Sequence, residues 1–368
     1  MRVGLVGLGK MGMSHMAMLN AHPEAELVAI CDPTPFVPDI LGKYTGAAVY
    51  ADYDDLLRRE KLDAVLIATP TKLHAPMVRA ALARDLHVFC EKPFCLDPIE
   101  GQELADMAQA RGLVNQVGYH YRFVGAFREA KRLVAAGVLG RIHHVRAEAY
   151  GPVVLRPKGS TWRAAKETGG GCLYDYACHA IDLVGYLFEA PTEVGGSVLN
   201  RVFSRQVEDE VYSTLYFPGG ATGQLAANWS DESHRKMSAR LTLWGENGRM
   251  NIDRQELQVF IRDASELSEK LDEGWNVRYT TDMTNEVWYY LRGEEYSEQI
   301  DHFIKSIKIG DRNNISSFAS AVATDRVAQM ISKDAGAGRL SPARGQSEIG
   351  AVPSKPKGFF KGLRTALR

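Results

Sequence analysis

Gly7, Gly9 and Gly12, in the run Val3-Gly4-Leu5-Val6-Gly7-Leu8-Gly9-Lys10-Met11-Gly12, have the G-x-G-x-x-G spacing with which a chain wraps a pyrophosphate. Gly7 permits the tight turn, Gly9 lets backbone approach the phosphates, and Gly12 lets a helix pack closely on the strand before it. With Leu8, Lys10 and Met11 these residues form the entry to a helix, where free N–H groups and the positive dipole end favour an anion. Asp32 ends the second apolar run, twenty residues after Gly12. A carboxylate there accepts hydrogen bonds from the ribose hydroxyls and repels a 2′-phosphate. No arginine lies between Asp32 and Arg58 to counter it. The pattern predicts a dinucleotide site with NAD favoured over NADP; glycines serving a structural turn alone would leave the acid unexplained.

Two further constellations carry titratable groups. Glu91-Lys92-Pro93 follows the apolar run His87–Cys90. Ligands in open α/β sheets lie beyond the carboxyl ends of strands, which puts Lys92 on the cofactor side. Pro93 restricts Lys92 to extended backbone. A lone lysine at a strand end is otherwise a solvated charge. Gly169-Gly170-Gly171-Cys172-Leu173-Tyr174-Asp175-Tyr176-Ala177-Cys178-His179-Ala180-Ile181-Asp182 reads as a glycine-rich entry into a helix. Asp175, His179 and Asp182 then share one α-helical face. Leu173, Tyr176, Ala180, Leu183, Val184 and Leu187 make the rest apolar, so the polar stripe either is solvated or borders a cleft. Cys172, Cys178 and His179 suggest no metal site, because adjacent helical residues point about 100° apart.

The elements that must position these groups follow from two hydrophobic periods. Arg2–Val6, Glu26–Cys31, Ala64–Ala68, His87–Cys90 and Val114–Gly118 are short apolar runs, separated mostly by helix-period segments at Met11–Ala21, His74–Arg84 and Ile99–Arg111. That alternation predicts an N-terminal doubly wound α/β parallel sheet of Rossmann type. Pro33, Pro35 and Pro38 delay or replace a helix after the second strand. After Gly118 come a helix at Phe127–Ala136, the run Ile142–Tyr150, a loop with Pro152, Pro157 and Gly159, and a helix over Cys172–Phe188. Strict alternation follows: Ala221, Gly223, Leu225, Ala227 and Trp229 face one way, and Ala239, Leu241 and Leu243 repeat the pattern. Turns at Pro218-Gly219-Gly220 and Asn247-Gly248 complete the signature of an α+β domain with a large open, mainly antiparallel sheet. Late helices are expected over Thr284–Lys308 and Ser316–Ser332, the last able to pack back on the first domain. The expected division is 1–120, 121–335 and a basic mobile tail over 336–368.

Composition bounds the partners. The chain has 368 residues, 44 basic against 45 acidic, and 45% hydrophobic residues. This leaves no general field for nucleic acid or an anionic membrane. The stretch from Gln346 to Arg368 is the exception, with Lys355, Lys357, Lys361, Arg364 and Arg368 against Glu348. Cys31, Cys90, Cys95, Cys172 and Cys178 are few, odd in number and without C-x-x-C spacing, which suggests reduced, buried thiols in the cytosol. Arg2 before Val3–Leu8 is too short for a signal peptide. No apolar run approaches the ~20 residues of a membrane span. The expectation is a soluble cytoplasmic protein. Trp288, Tyr289 and Tyr290 read as core packing before a sugar platform.

Taken together, the motifs resemble those of the Gfo/Idh/MocA oxidoreductases, which include inositol and sugar dehydrogenases. This chain carries, in that family's order, Gly7/Gly9/Gly12, Thr69-Pro70 with His74, Glu91-Lys92-Pro93 and Gly169–Asp182. The likeness spans roughly residues 1–335. It implies that Lys92 and His179 flank the reacting carbon with Asp175 assisting. Oxidising a secondary alcohol sends hydride to a nicotinamide and a proton to a base. His179 can take that proton near neutrality; Lys92 either donates to the substrate oxygen or lowers its own pKa and shares the transfer. Thr69 and Pro70, with Glu91, would border the cofactor, and His74 either joins them or caps and packs a helix. Tyr121 and Arg122 belong to a segment near substrate or cofactor in the family, which usually has Asn where this chain has His120. Trp162-Arg163 matches a pair before the triple glycine, with Arg163 reaching ligand or forming a structural ion pair.

The resemblance thus implies hydride transfer between NAD and a ring secondary alcohol or ketone of a sugar, inositol or nucleotide-sugar, in a homodimer or homotetramer built through the open sheet. Two other classes remain: an NAD-dependent glycosidase that oxidises transiently, and a non-catalytic NAD-binding scaffold or sensor.

Overall fold

Apolar residues on alternate positions of the first strands must be covered on both sides, and that demand sets the first layer of the molecule. The computed structural model describes residues 1–34, 43–153, 162–312 and 314–337. Strands β1 (Arg2–Val6), β2 (Glu26–Cys31), β3 (Ala48–Tyr50), β4 (Ala64–Ile67), β5 (His87–Cys90) and β6 (Asn115–Val117) form a wholly parallel sheet in the order β3-β2-β1-β4-β5-β6. The order reverses between β1 and β4, so a crevice opens beyond their carboxyl ends, where Gly7 and Thr69 lie. Val6, Ile67, Val88 and Cys90 face one core, and Val3, Leu5, Leu66 and Phe89 the other. Helices α1 (Lys10–Ala21), α2 (Tyr53–Arg59), α3 (His74–Leu82) and α4 (Pro98–Ala110) connect the strands. Asp52 caps α2 through the Asp55 N–H, and Asp97, followed by Pro98 at the first helical turn, caps α4 through the Ile99 N–H.

Helix α5 (Gly125–Ala135) leads into the second sheet. Its strands are β7 (Ile142–Tyr150), β8 (Glu193–Asn200), β9 (Glu210–Tyr216), β10 (Thr222–Asn228), β11 (Ser238–Gly245), β12 (Gly248–Ile252), β13 (Glu256–Ile261) and β14 (Gly274–Tyr279). Their order is β14-β13-β12-β11-β7-β10-β9-β8, antiparallel except where β10 runs parallel to β7. One face is packed: Ala227, Trp229, Leu241 and Leu243 are buried, as the alternation predicts. They lie in the same core as helix α6 (Cys178–Leu187). Trp229 is wholly buried and its indole N–H donates to Asp209 at 2.9 Å. The other face exposes Tyr212, Tyr216, Trp275, Val277 and Tyr279.

The last elements tie the two sheets together. The short helix α7 (Thr280–Met283) precedes α8 (Glu294–Ile309) and α9 (Phe318–Ala337). Helix α8 sets Ile300, Phe303 and Ile304 against the first sheet. Helix α9 sets Phe318, Ala321 and Val322 into a core of the first sheet, and Val327, Ala328 and Ile331 into the core of the second. The helix expected from Thr284 begins only at Glu294, because Arg292 and Gly293 have φ of 67° and 147° and break the register. Trp288 and Tyr289 pack against the first core, whereas Tyr290 is exposed. All five cysteines are free and buried. No helix among the described residues is long and apolar enough to cross a membrane. Pro35, Pro38, Pro157, Gly159 and the basic tail beyond residue 337 lie outside the described residues.

Candidate active site

At the cofactor end, Gly7 has φ of 89°, and a Cβ there would lie 2.7 Å from the Ala68 carbonyl oxygen. A Cβ on Gly12 would lie 1.8 Å from the Gly7 oxygen, so α1 rests on the turn as closely as glycine alone allows. Gly9 is the N-cap of α1 and its side opens to space; the Met13 N–H to Gly9 oxygen bond, at 2.9 Å, is the first helical bond. The first-turn N–H groups of Lys10, Met11 and Gly12 are therefore directed to an outside acceptor. Asp32 takes the Leu8 N–H at 2.6 Å and the Thr34 N–H at 2.9 Å. Burial alone would raise its pKa, but these bonds outweigh it and hold the carboxylate below its ordinary range. The open glycine cradle and an ionised acid beside it fit the pyrophosphate and ribose of a dinucleotide.

Two of the residues expected at the cofactor do other work. Leu8 gives its N–H to Asp32, so what it offers a ligand is backbone shape. His74 is buried, with Nδ1 2.9 Å from the Pro93 oxygen and Nε2 2.9 Å from the Thr69 oxygen. It is a strut joining the Thr69-Pro70 turn to the Lys92-Pro93 turn, and faces no open cradle. Pro70 is exposed and Thr69 half-buried beside Gly7.

The Lys92–Pro93 peptide bond is cis. Lys92 Nζ donates to Asp175 Oδ1 at 2.9 Å and to the Asp175 carbonyl oxygen at 2.8 Å. Arg163 Nε donates to the other carboxylate oxygen, Oδ2, at 2.8 Å. Burial by itself would lower the Lys92 pKa, but Asp175 outweighs it and the shift is upward. Burial would likewise raise Asp175, and Lys92 and Arg163 reverse that, keeping it ionised. The ion pair with Asp175 thus favours the ammonium form of Lys92, the form that donates to a substrate oxygen. Just before it, Glu91 pairs with His15 Nε2 at 2.6 Å and accepts the Lys92 N–H at 3.2 Å. His15 and Phe89 pack edge to face, which fixes α1 against β5.

His179 stands on the same helix but in a different environment. Residues Leu173–Ala177 turn as a π-helix before α6 begins, so the α-helical spacing that put Asp175, His179 and Asp182 on one face does not hold. Asp175 meets Lys92 and Arg163; Asp182 meets Arg122; His179 sits among Tyr119, His120 and Tyr121, with ring centroids 6.0, 5.1 and 5.4 Å away. His179 is 2% exposed and its Nδ1 has no partner among the described residues. Burial, then the charges of Lys92 and His120, push its pKa well below the ordinary value, so the ring is neutral. A neutral imidazole beside a fixed ammonium is a competent pair: one group can accept a proton while the other donates to an oxygen.

Arg122, expected at the substrate, is buried elsewhere. Its Nε donates to Asp182 at 2.9 Å, and its remaining nitrogens meet Asp182, the Ile315 carbonyl and Ser320. Each of its three nitrogens is engaged by the protein, so Arg122 clamps α6 to the start of α9. Sequence reasoning missed His15, which is a single imidazole among Met13, Met16, Met18 and Leu19 and whose partner is 76 residues away. It also missed Glu208. That residue accepts the Leu173 N–H at 2.9 Å and crowds Gly171, whose φ is 111°, thereby fixing the start of the helix that carries Asp175. Beside the cluster, a cavity of about 450 Å³ is lined by Phe123, Met237, Arg254, Tyr290 and Glu295 among others, and the Tyr121 hydroxyl donates to the Met237 carbonyl at its edge.

Comparison with known proteins agrees with this fold. A family model described as "Oxidoreductase family, NAD-binding Rossmann fold" matches residues 1–119, and one described as "GFO/IDH/MocA C-terminal domain" matches residues 127–251. The chain is 27% identical to a myo-inositol 2-dehydrogenase of Thermotoga maritima over 328 residues, 86% of this chain and 91% of the relative. It is 25% identical to a 2,7-anhydro-N-acetylneuraminate hydratase of Mediterraneibacter gnavus, over 79% of each chain. In fold it resembles a levoglucosan dehydrogenase in complex with NADH, with a TM-score of 0.78 and 24% identity over 92% of this chain and 97% of that one.

Proposed function

The chain belongs to the Gfo/Idh/MocA oxidoreductase family and is an NAD-dependent dehydrogenase acting on CH–OH groups, and from that premise we propose that its substrate is a sugar, inositol or nucleotide-sugar oxidised at a ring secondary alcohol. The observation that carries this reading is the burial of His179, 2% exposed, within the field of a Lys92 whose ammonium is held by Asp175. NAD, when bound in the glycine cradle, supplies the hydride acceptor. His179 accepts the hydroxyl proton as the C–H bond breaks. Lys92 donates a hydrogen bond to the same oxygen and stabilises its developing charge. Asp175, shared between Lys92 and Arg163, orients both cations and can accept from a neighbouring hydroxyl. In the reductive direction His179 returns the proton. Tyr121 borders the same space, while Arg163, with its side chain 38% exposed, is the cation best placed to meet a polar substituent.

On this reading residues 1–120 hold the cofactor and 121–335 the substrate. The exposed aromatic face of the second sheet suits a second copy of the chain, so that the enzyme works as a homodimer or homotetramer. A screen of NAD and NADP reduction against polyols, free sugars and nucleotide-sugars tests the substrate assignment. NADH formation with none of them would refute it. The hydratase among the relatives favours a second reading, in which oxidation is transient and a bond is broken or water added without net NADH. Product analysis at constant NADH separates that outcome from simple dehydrogenation. The presence of Lys92, Asp175 and His179 together in one chain disfavours a non-catalytic sensor.

A further inference from the structure

The proposed reaction leaves a proton on His179, and the surroundings of that ring are unsuited to keeping it. His179 is buried, Lys92 adds a fixed positive charge, and no carboxylate among the described residues touches the ring. A proton deposited there must move on before the next turnover. Three rings surround it. The Tyr119 hydroxyl is buried without a partner among the described residues, and the Tyr121 hydroxyl donates to the Met237 carbonyl, so neither leads outward. His120 differs. Its ring stands edge to face with His179 at 5.1 Å and 73°, and lies flat on Tyr296 at 4.4 Å and 16°. His120 Nε2 is 3.3 Å from the Tyr296 hydroxyl. Tyr296 is half-buried on α8, and its ring is covered by the guanidinium of the exposed Arg292 at 5.3 Å. A file of groups able to pass a proton therefore runs from the buried base to the surface.

We propose that His120 and Tyr296 carry the proton between His179 and solvent. This rests on the dehydrogenase reading above. During oxidation the substrate O–H bond breaks and an N–H bond forms on His179, while the hydride leaves to the cofactor. The proton then passes by way of a bridging water to one nitrogen of His120, whose ring centroid is 5.1 Å from that of His179. His120 releases its Nε2 proton to the Tyr296 oxygen, and Tyr296 releases its own hydroxyl proton to solvent. One proton enters and one leaves, and both side chains end neutral. The charges facing His120 are Lys92, Arg254, Arg292 and His15, and those facing Tyr296 include Arg292, Glu295 and Glu91. With cations around His120 and carboxylates nearer Tyr296, a proton on His120 is passed outward and not stored. Asn, expected at position 120 from the family pattern, could offer a hydrogen bond but could not carry a proton.

The test compares wild type with His120→Asn and Tyr296→Phe in single turnovers, following NADH absorbance together with proton release to an indicator dye in weak buffer. In both variants proton release should lag NADH formation. Steady-state turnover should fall about tenfold, less than the loss of the base itself would cause. KM should stay within about twofold, and added imidazole should restore turnover. Proton release in step with NADH, or a loss that imidazole does not restore, overturns the relay. Should His120→Asn fold poorly, Tyr296→Phe gives the same readout on its own. A wild type that reduces NAD with no alcohol would sink the dehydrogenase reading and the relay together. A wild type that reduces NAD while the variants release protons normally would sink the relay alone.

Discussion

Burial lowers the pKa of both Lys92 and His179, yet the net shifts run opposite ways, because Asp175 holds Lys92 while no carboxylate among the described residues pairs with His179. Replacing Lys92 by Met keeps the length of the side chain and removes its charge. Turnover should fall at least about 100-fold, the lower range for a lost acid–base or charge-stabilising group. NAD affinity, measured by fluorescence titration, should change only a few-fold; normal turnover in that variant would refute the assignment. The depressed pKa of His179 fixes the sign of the pH dependence. The base works in its neutral form, so kcat/KM for oxidation should stay flat on descending from neutrality through pH ~6.5, the ordinary histidine value. It should fall only in more acid solution. A midpoint at or above the ordinary value would contradict a buried His179 base. At this scale the cradle, Asp32, Lys92, Asp175 and His179 were legible because each sits in a short motif. The bonds from His15 to Glu91, from Tyr296 to His120 and from Asp325 to Cys95 were not, since their partners are 76, 176 and 230 residues apart.

Among the elements, local pattern succeeded wherever one face is plainly buried. The strands β1, β2, β4 and β5 begin and end within a residue or so of the apolar runs, and β10 and β11 follow the alternation. Strand β14 was illegible because Trp275, Val277 and Tyr279 point outward, which inverts the usual apolar-inward pattern. The π turn before α6 was equally hidden: an extra residue in a turn leaves no mark on composition, yet it separates Asp175 from His179 and Asp182. The Arg122–Asp182 pair then holds α6 in place, with side chains 5% and 1% exposed. Arg122→Leu would leave Asp182 buried without its cation, at a cost of about 3–5 kcal/mol. Urea unfolding should show that loss as a lower midpoint with unchanged slope. A variant as stable as wild type but with a raised KM would return Arg122 to the substrate.

For the whole molecule, the exposed aromatics of the second sheet are the feature that composition could not reveal. Tyr216 is 42% and Trp275 53% exposed, on the side opposite the sheet's own core. Sedimentation should show a dimer or tetramer, and introducing charge by Tyr216→Asp with Trp275→Asp should shift it toward monomer. A monomeric wild type would refute the interface. Helix α9 has a different consequence. It packs into both cores, and its Asp325 accepts the Cys95 N–H at 2.9 Å, bracing the turn that carries Lys92. All other residues of the site precede it along the chain. During synthesis, at roughly 5–20 residues per second, neither core can close until that helix has left the ribosome. The nascent chain should therefore gain its grip on coenzyme and on substrate together, at the very end of translation.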